Sequence, residues 1–228
     1  MQAQEHFNPS FGMLEVKMQP GEKIFAESGA MVGKDPQITL ETKARGGMLS
    51  SLKRKMLGGE SFFVNTFSCA GEPGTLFLAP SISGSVCQHT LNNNEGIFIQ
   101  SGSYLANDGN ITIDTKWGGA KTFFSREGLF VLKATGAGTL FFNAYGGIHK
   151  VNLNNESYIV DTGYLVAWSD SLQYEVTKVG GLKSFFFSGE GLVCKMSGTG
   201  TVWIQTRKPE SLAAFLHPFR RVQQKNKD

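Results

Sequence analysis

The chain carries one pattern three times over, and this self-similarity constrains its fold more than any other feature. Ser28-Gly-Ala-Met-Val-Gly-Lys-Asp35 is matched by Ser101-Gly-Ser-Tyr-Leu-Ala-Asn-Asp108 and by Thr162-Gly-Tyr-Leu-Val-Ala-Trp-Ser169. The anchor glycines Gly29, Gly102 and Gly163 are 73 and 61 residues apart. Nine residues after each comes an apolar residue (Ile38, Ile111, Leu172), and twelve after each an acid (Glu41, Asp114, Glu175). A Gly pair follows (46-47, 118-119, 180-181), then a Lys (Lys53, Lys121, Lys183), then an acid (Glu60, Glu127, Glu190) that opens an apolar run. Gly74-Thr75, Gly138-Thr139 and Gly200-Thr201 each begin a last apolar stretch. Ahead of the anchors stand Glu22, Glu95 and Glu156, leading into Ile24-Phe25, Ile97-Phe98-Ile99 and Tyr158-Ile159-Val160.

Each unit reads as β. In Ile38-Thr-Leu-Glu-Thr-Lys43, Ile38, Leu40 and Thr42 fall on one face and Thr39, Glu41 and Lys43 on the other. Asn92-Asn-Asn-Glu95 and Asn154-Asn-Glu156 read as turns, because Asn tolerates left-handed backbone. Gly is abundant at 28 residues while Pro numbers 7, and twelve of the glycines sit at repeat-equivalent places, so they punctuate turns rather than fill a low-complexity chain. The 18 Phe include consecutive pairs that put one ring on each face of a strand, an expectation of sheets covered on both sides and of inter-subunit contact. A unit this small has little core of its own and must pack on its neighbours. The boundaries are residues 12–88, 89–150 and 151–206, with 207–228 as a C-terminal helix and basic tail, in one compact body with strand swapping between units.

Two segments depart from the repeat. Met48 to Leu57 is an insertion whose apolar spacing suits an amphipathic helix, and Pro209 to Leu216 has Pro in a first helical turn and Pro218 as a stop. Net charge is +3, but the tail from Arg220 holds four basic residues and one acid; without it 18 of each sign remain. A neutral body gives no electrostatic footprint for nucleic acid and little repulsion against self-association. Cys69, Cys87 and Cys194 fit no zinc or disulfide spacing and read as reduced, buried thiols. No run reaches the ~18 apolar residues of a membrane helix, and no signal segment is evident, so a cytoplasmic location is expected.

Gly29-Ala-Met-Val, Gly46-Gly47 leading to Leu57-Gly-Gly-Glu-Ser61, Gly74-Thr-Leu-Phe-Leu-Ala79 and Gly102-Ser-Tyr-Leu-Ala106, in that order, resemble the altered inheritance of mitochondria protein 24 family. That family is part of the tryptophan RNA-binding attenuation protein-like (TRAP-like) superfamily. The likeness spans roughly residues 12 to 206. It implies an all-β chain of three tandem short double-stranded β-helix or β-sandwich units, pseudo-threefold, with one or two short helices. It also implies a homotrimer in which nine units form a ring-like assembly. No activity follows from it, and no residue here matches the tryptophan or RNA sites of the attenuation protein. Without an Arg-rich, acid-poor leader, the chain reads as a prokaryotic member.

Candidate chemistry is sparse. Glu60, Glu127 and Glu190, converging about a pseudo-threefold axis, would offer oxygen ligands to a cation; repeated contacts to backbone amides or lysines would explain them as well. A metal enzyme wants neighbouring histidines, whereas His6, His89, His149 and His217 are dispersed. There is no Gly-x-Ser-x-Gly and no Gly-Lys-Ser/Thr phosphate loop. Lys53, Arg54 and Lys55, on the Met- and Leu-rich insertion, would meet an anionic membrane surface, nucleic acid or a protein partner, or simply stay solvated on a packed helix. The reading is therefore a non-enzymatic homotrimeric scaffold or binding protein without a cofactor. Nucleic-acid or membrane-surface binding through the insertion is the first alternative, and a metal-dependent enzyme the second.

Overall fold

The computed structural model describes residues 1–43, 64–114, 130–178 and 192–220. The predicted insertion helix at 48–57 and the tail beyond Arg220 lie outside these residues. The chain is predominantly β, in three antiparallel sheets. The first runs β1 (Gln2–His6), β2 (Met13–Met18), β7 (Gly74–Leu78), β4 (Met31–Lys34). The second runs β5 (Ile38–Lys43), β6 (Val64–Cys69), β3 (Lys23–Glu27), β10 (Tyr104–Asp108), β13 (Gly138–Tyr145), β8 (Gly84–Leu91). The third runs β11 (Thr112–Asp114), β12 (Val131–Thr135), β9 (Gly96–Gln100), β15 (Leu165–Ser169), β17 (Leu192–Gln205), β14 (Ile148–Asp161), with β16 (Gln173–Lys178) also on β17.

One α-helix, α1 (Pro209–Leu216), stands among the described residues, where Pro in the first turn and Glu210 beside it predict it. A 3-10 turn, His217–Phe219, ends it at Pro218. The helix buries no residue, and its Phe215 and the following Phe219 are 67% and 75% exposed. No described helix is long and apolar enough to cross a membrane.

The core forms three clusters, one gathered around Leu14, Phe67 and Phe141, one around Ile99, Phe142 and Trp203, and one around Phe98, Trp168 and Cys194. Alternation along β13 sends Phe141 to one cluster and Phe142 to another, both fully buried. Ile97-Phe98-Ile99 on β9 divides in the same way, which is why these strands read as continuous apolar runs. Full burial of such a side chain stabilises by about 1.5–3 kcal/mol. The Phe141-Phe142 pair is thus covered by the chain's own sheets rather than by a neighbouring copy.

Two local expectations change. Ile38 is buried, but Leu40 on the same face is 42% exposed, because the β5–β6 hairpin runs on beyond the cluster that covers Ile38. Asn154-Asn155 is no turn between strands. It is a bulge inside the 14-residue β14, where the register with β17 shifts between Leu153 and Glu156 and Asn155 takes φ 56°. The left-handed preference of Asn is realised, but as a crease in one long strand.

The Gly-Thr steps have a physical cause. Strand ends at Asp35, Asp108 and Ser169 each point a side-chain oxygen at a backbone amide, accepting from Thr75 (2.7 Å), Thr139 (2.6 Å) and Thr201 (3.0 Å). The carbonyls of the same three residues accept from the amides of Ile38, Ile111 and Leu172, at 3.1, 3.3 and 3.1 Å. These clasps bring the chains so close that a Cβ on Gly138 would run into the Asp108 carboxylate, and one on Gly200 would sit 3.0 Å from Leu172 and Ser169. Two of the three acids before the anchors have a similar role: Glu22 accepts from the Gln19 amide (2.7 Å) and Glu95 from the Asn92 amide (3.1 Å), each closing a turn three residues back, whereas Glu156 lies within β14 opposite Gly198.

Candidate functional site

The residues nominated by sequence for a cation (Glu60, Glu127, Glu190) or an anionic surface (Lys53, Arg54, Lys55) all lie outside the described residues. They fall in the connections of three antiparallel hairpins, β5–β6, β11–β12 and β16–β17. Among the described residues, no three His, Cys, Asp or Glu side chains stand close enough to hold a metal. The three cysteines are free and buried; burial pushes the Cys87 thiol up to about 11 and the Cys194 thiol up to about 12, so neither supplies a thiolate.

Two open sheet edges stand out instead. β4, β10 and β15 follow the three anchor glycines, and each pairs with the stretch that follows a Gly-Thr step, which begins β7 and β13 and lies inside β17. All three pairings carry a register shift two to four residues past the anchor: Met31/Gly33, Tyr104/Ala106, Leu165/Ala167. The other edge of β10 is taken by β3, with Asn107 opposite Phe25, and that of β15 by β9, with Trp168 opposite Phe98. The other edge of β4 meets no strand among the described residues.

The side chains register this difference. Tyr104 and Leu105 on β10, and Leu165 and Val166 on β15, are fully buried, whereas the corresponding Met31 and Val32 on β4 are 40% and 60% exposed. A second edge lies along residues 156–161 of β14, which among the described residues pairs with β17 on one side alone. There Ile159 is 62% exposed, while Phe98, at the same distance before its anchor, is 3% exposed. An edge strand with free amides and carbonyls and apolar side chains is a template for another strand.

The described part of the molecule also has a cleft of about 310 Å³ where β8, β9, β15 and β17 meet, lined by His89, Glu95, Asp170 and Trp203 among others. Asp170 spans the joint between β9 and β15: its Oδ1 accepts from the Gly96 amide (3.1 Å) and its Oδ2 pairs with Lys133 Nζ (3.0 Å). The His89 ring meets Trp203 edge-on at 5.1 Å. Burial, with Lys150 adding to it against the opposing pull of Glu95, holds His89 below the ordinary histidine range. Among the described residues, the cleft lining places no serine, cysteine or carboxylate in a hydrogen bond with His89 that would make a nucleophile–base pair; Glu95 is taken up by the Asn92 amide and side chain, and Asp170 by the Gly96 amide and Lys133. Sequence reading missed this cleft, since residues 89, 95, 170 and 203 meet only through pairing across the repeats.

Comparison with known proteins places the chain. The sequence model of the family described as mitochondrial biogenesis AIM24 matches residues 5–207. An uncharacterised protein of Streptococcus pyogenes serotype M6 is 29% identical over 217 residues, covering 92% of this chain and 87% of that protein. The crystal structure of a Streptococcus pyogenes protein superposes with a TM-score of 0.82 at 28% identity, over 96% of this chain and 99% of the other.

Proposed function

The chain belongs to the AIM24 family, and on that premise we propose that it is a non-enzymatic, cytoplasmic scaffold that works as a homotrimer of three-unit, TRAP-like chains. The observation that carries this reading is the pair of sheet edges left unpaired among the described residues, β4 and residues 156–161 of β14: Met31 and Val32 are exposed where Tyr104, Leu105, Leu165 and Val166 are buried, and Ile159 is exposed where Phe98 is buried and Phe25 partly so. Among the described residues no strand of the same copy covers these edges, and association is the ordinary way to cover them. The recurring clasps at Asp35, Asp108 and Ser169, and the recurring register shift after each anchor, support three tandem units with pseudo-threefold order. The balance of charge in the body favours association in the same direction. Light scattering on the purified chain tests the proposal: the mass of three chains is expected, and a single-chain mass across the accessible concentration range would sink it.

A further inference from the structure

We infer that the bare edge of β4 in one copy pairs antiparallel with residues 156–161 of β14 in the next, completing between copies a joint that each copy already makes twice within itself. The inference rests on the self-assembly reading above and names its contact. Inside the chain, the strand after one anchor pairs with the strand before the preceding anchor. Asn107, five residues after Gly102, faces Phe25, four before Gly29. Trp168, five residues after Gly163, faces Phe98, four before Gly102. The two joints therefore share one register. Carried to the leftover strands, that register sets Lys34 opposite Ile159, Gly33 opposite Val160 and Asp35 opposite Tyr158 of the neighbouring copy.

The count of strands supports the same conclusion. The second sheet runs β5-β6-β3-β10-β13-β8, a three-strand half on each side of the β3·β10 joint. The chain's two ends hold the two halves of another such sheet: β2-β7-β4 near the N-terminus, and β16, the first part of β17 and the second part of β14 near the C-terminus. Each copy thus has one spare half of each kind. Unlike halves make a heterologous, head-to-tail contact, which closes when the rotation per copy completes a circle. The register also matches side chain to side chain. At the β9·β15 joint the Phe98 and Trp168 rings lie 5.4 Å apart; at the new joint the Lys34 stem lies over Ile159, and Met31 and Val32 become covered.

The test uses the full chain. Facing residues of paired strands have Cα atoms about 4.5–5.5 Å apart, within disulfide reach. In K34C/I159C, mild oxidation is expected to link chains into multimers on a non-reducing denaturing gel, up to the number of chains in the native assembly. K34C and I159C alone are expected to stay single, and reductant to collapse the ladder. I159D replaces an exposed side chain, so it should keep the β circular dichroism while the scattering mass falls to that of one chain. A parent that assembles, with a double-cysteine variant that does not link or an I159D variant of parental mass, overturns the joint and leaves the scaffold reading standing. A monomeric parent overturns both.

Discussion

His89 shows how one buried side chain ties the fold to pH. Its imidazole packs on Trp203 and is held below the ordinary range chiefly by burial. The unfolded chain takes up a proton near the reference value of about 6.5, whereas the native chain resists it until lower pH. Between those two values the unfolded state binds more protons, so stability falls as pH drops through that window and is fully present above it. Unfolding free energies from denaturant titration should therefore decrease from about pH 7.5 to about pH 5, and H89Q should flatten that slope. A slope equal in the parent and in H89Q would show that another group controls it. The buried thiols add nothing at these pH values, since burial lifts Cys87 and Cys194 far above them.

Among the elements, the clasp between a strand end and a Gly-Thr step is the recurring unit of cohesion. The Asp108 carboxylate accepts from the amides of Asn110 (2.9 Å) and Thr139 (2.6 Å), and D108A would leave both without that partner, at a cost of about 1–3 kcal/mol. G138A should destabilise as well, because the new methyl collides with the same carboxylate. Midpoints of guanidinium unfolding check both; variants indistinguishable from the parent would refute the role of the clasp. These elements were largely legible in the sequence because their determinants are local: period-two alternation at Ile38–Lys43, Gly-Thr openings, and Pro209 with Pro218 bracketing α1. Asn154-Asn155 misled, since the residue that favours a turn equally favours a bulge, and only the pairing of β14 with β17 decides between them. The candidate site was far less legible. A bare edge is defined by a strand that does not arrive, and the cleft at His89, Asp170 and Trp203 by pairing between distant segments. Neither leaves a local signature.

For the whole molecule, the second and third sheets each join segments that follow and precede different anchors, and among the described residues β4 and residues 156–161 of β14 are the two unlike edges left without such a partner. If association covers those edges, it acts on folding by mass action, since partner copies bind the folded chain and not the unfolded one. The thermal midpoint should then rise with protein concentration, and dilution should lower it; a midpoint constant over a hundredfold dilution would speak against coupled assembly. The two edges also differ in kind, one carrying Met31 and Val32 and the other Ile159, so a row of copies has a sense of direction. In a closed circle every copy then faces the same way about the axis. The α1 helices, with Leu212, Phe215 and Phe219 uncovered, would all leave from one side as a crown. A partner too weak to hold one such helix would grip several at once, and avidity would accomplish what no single contact can.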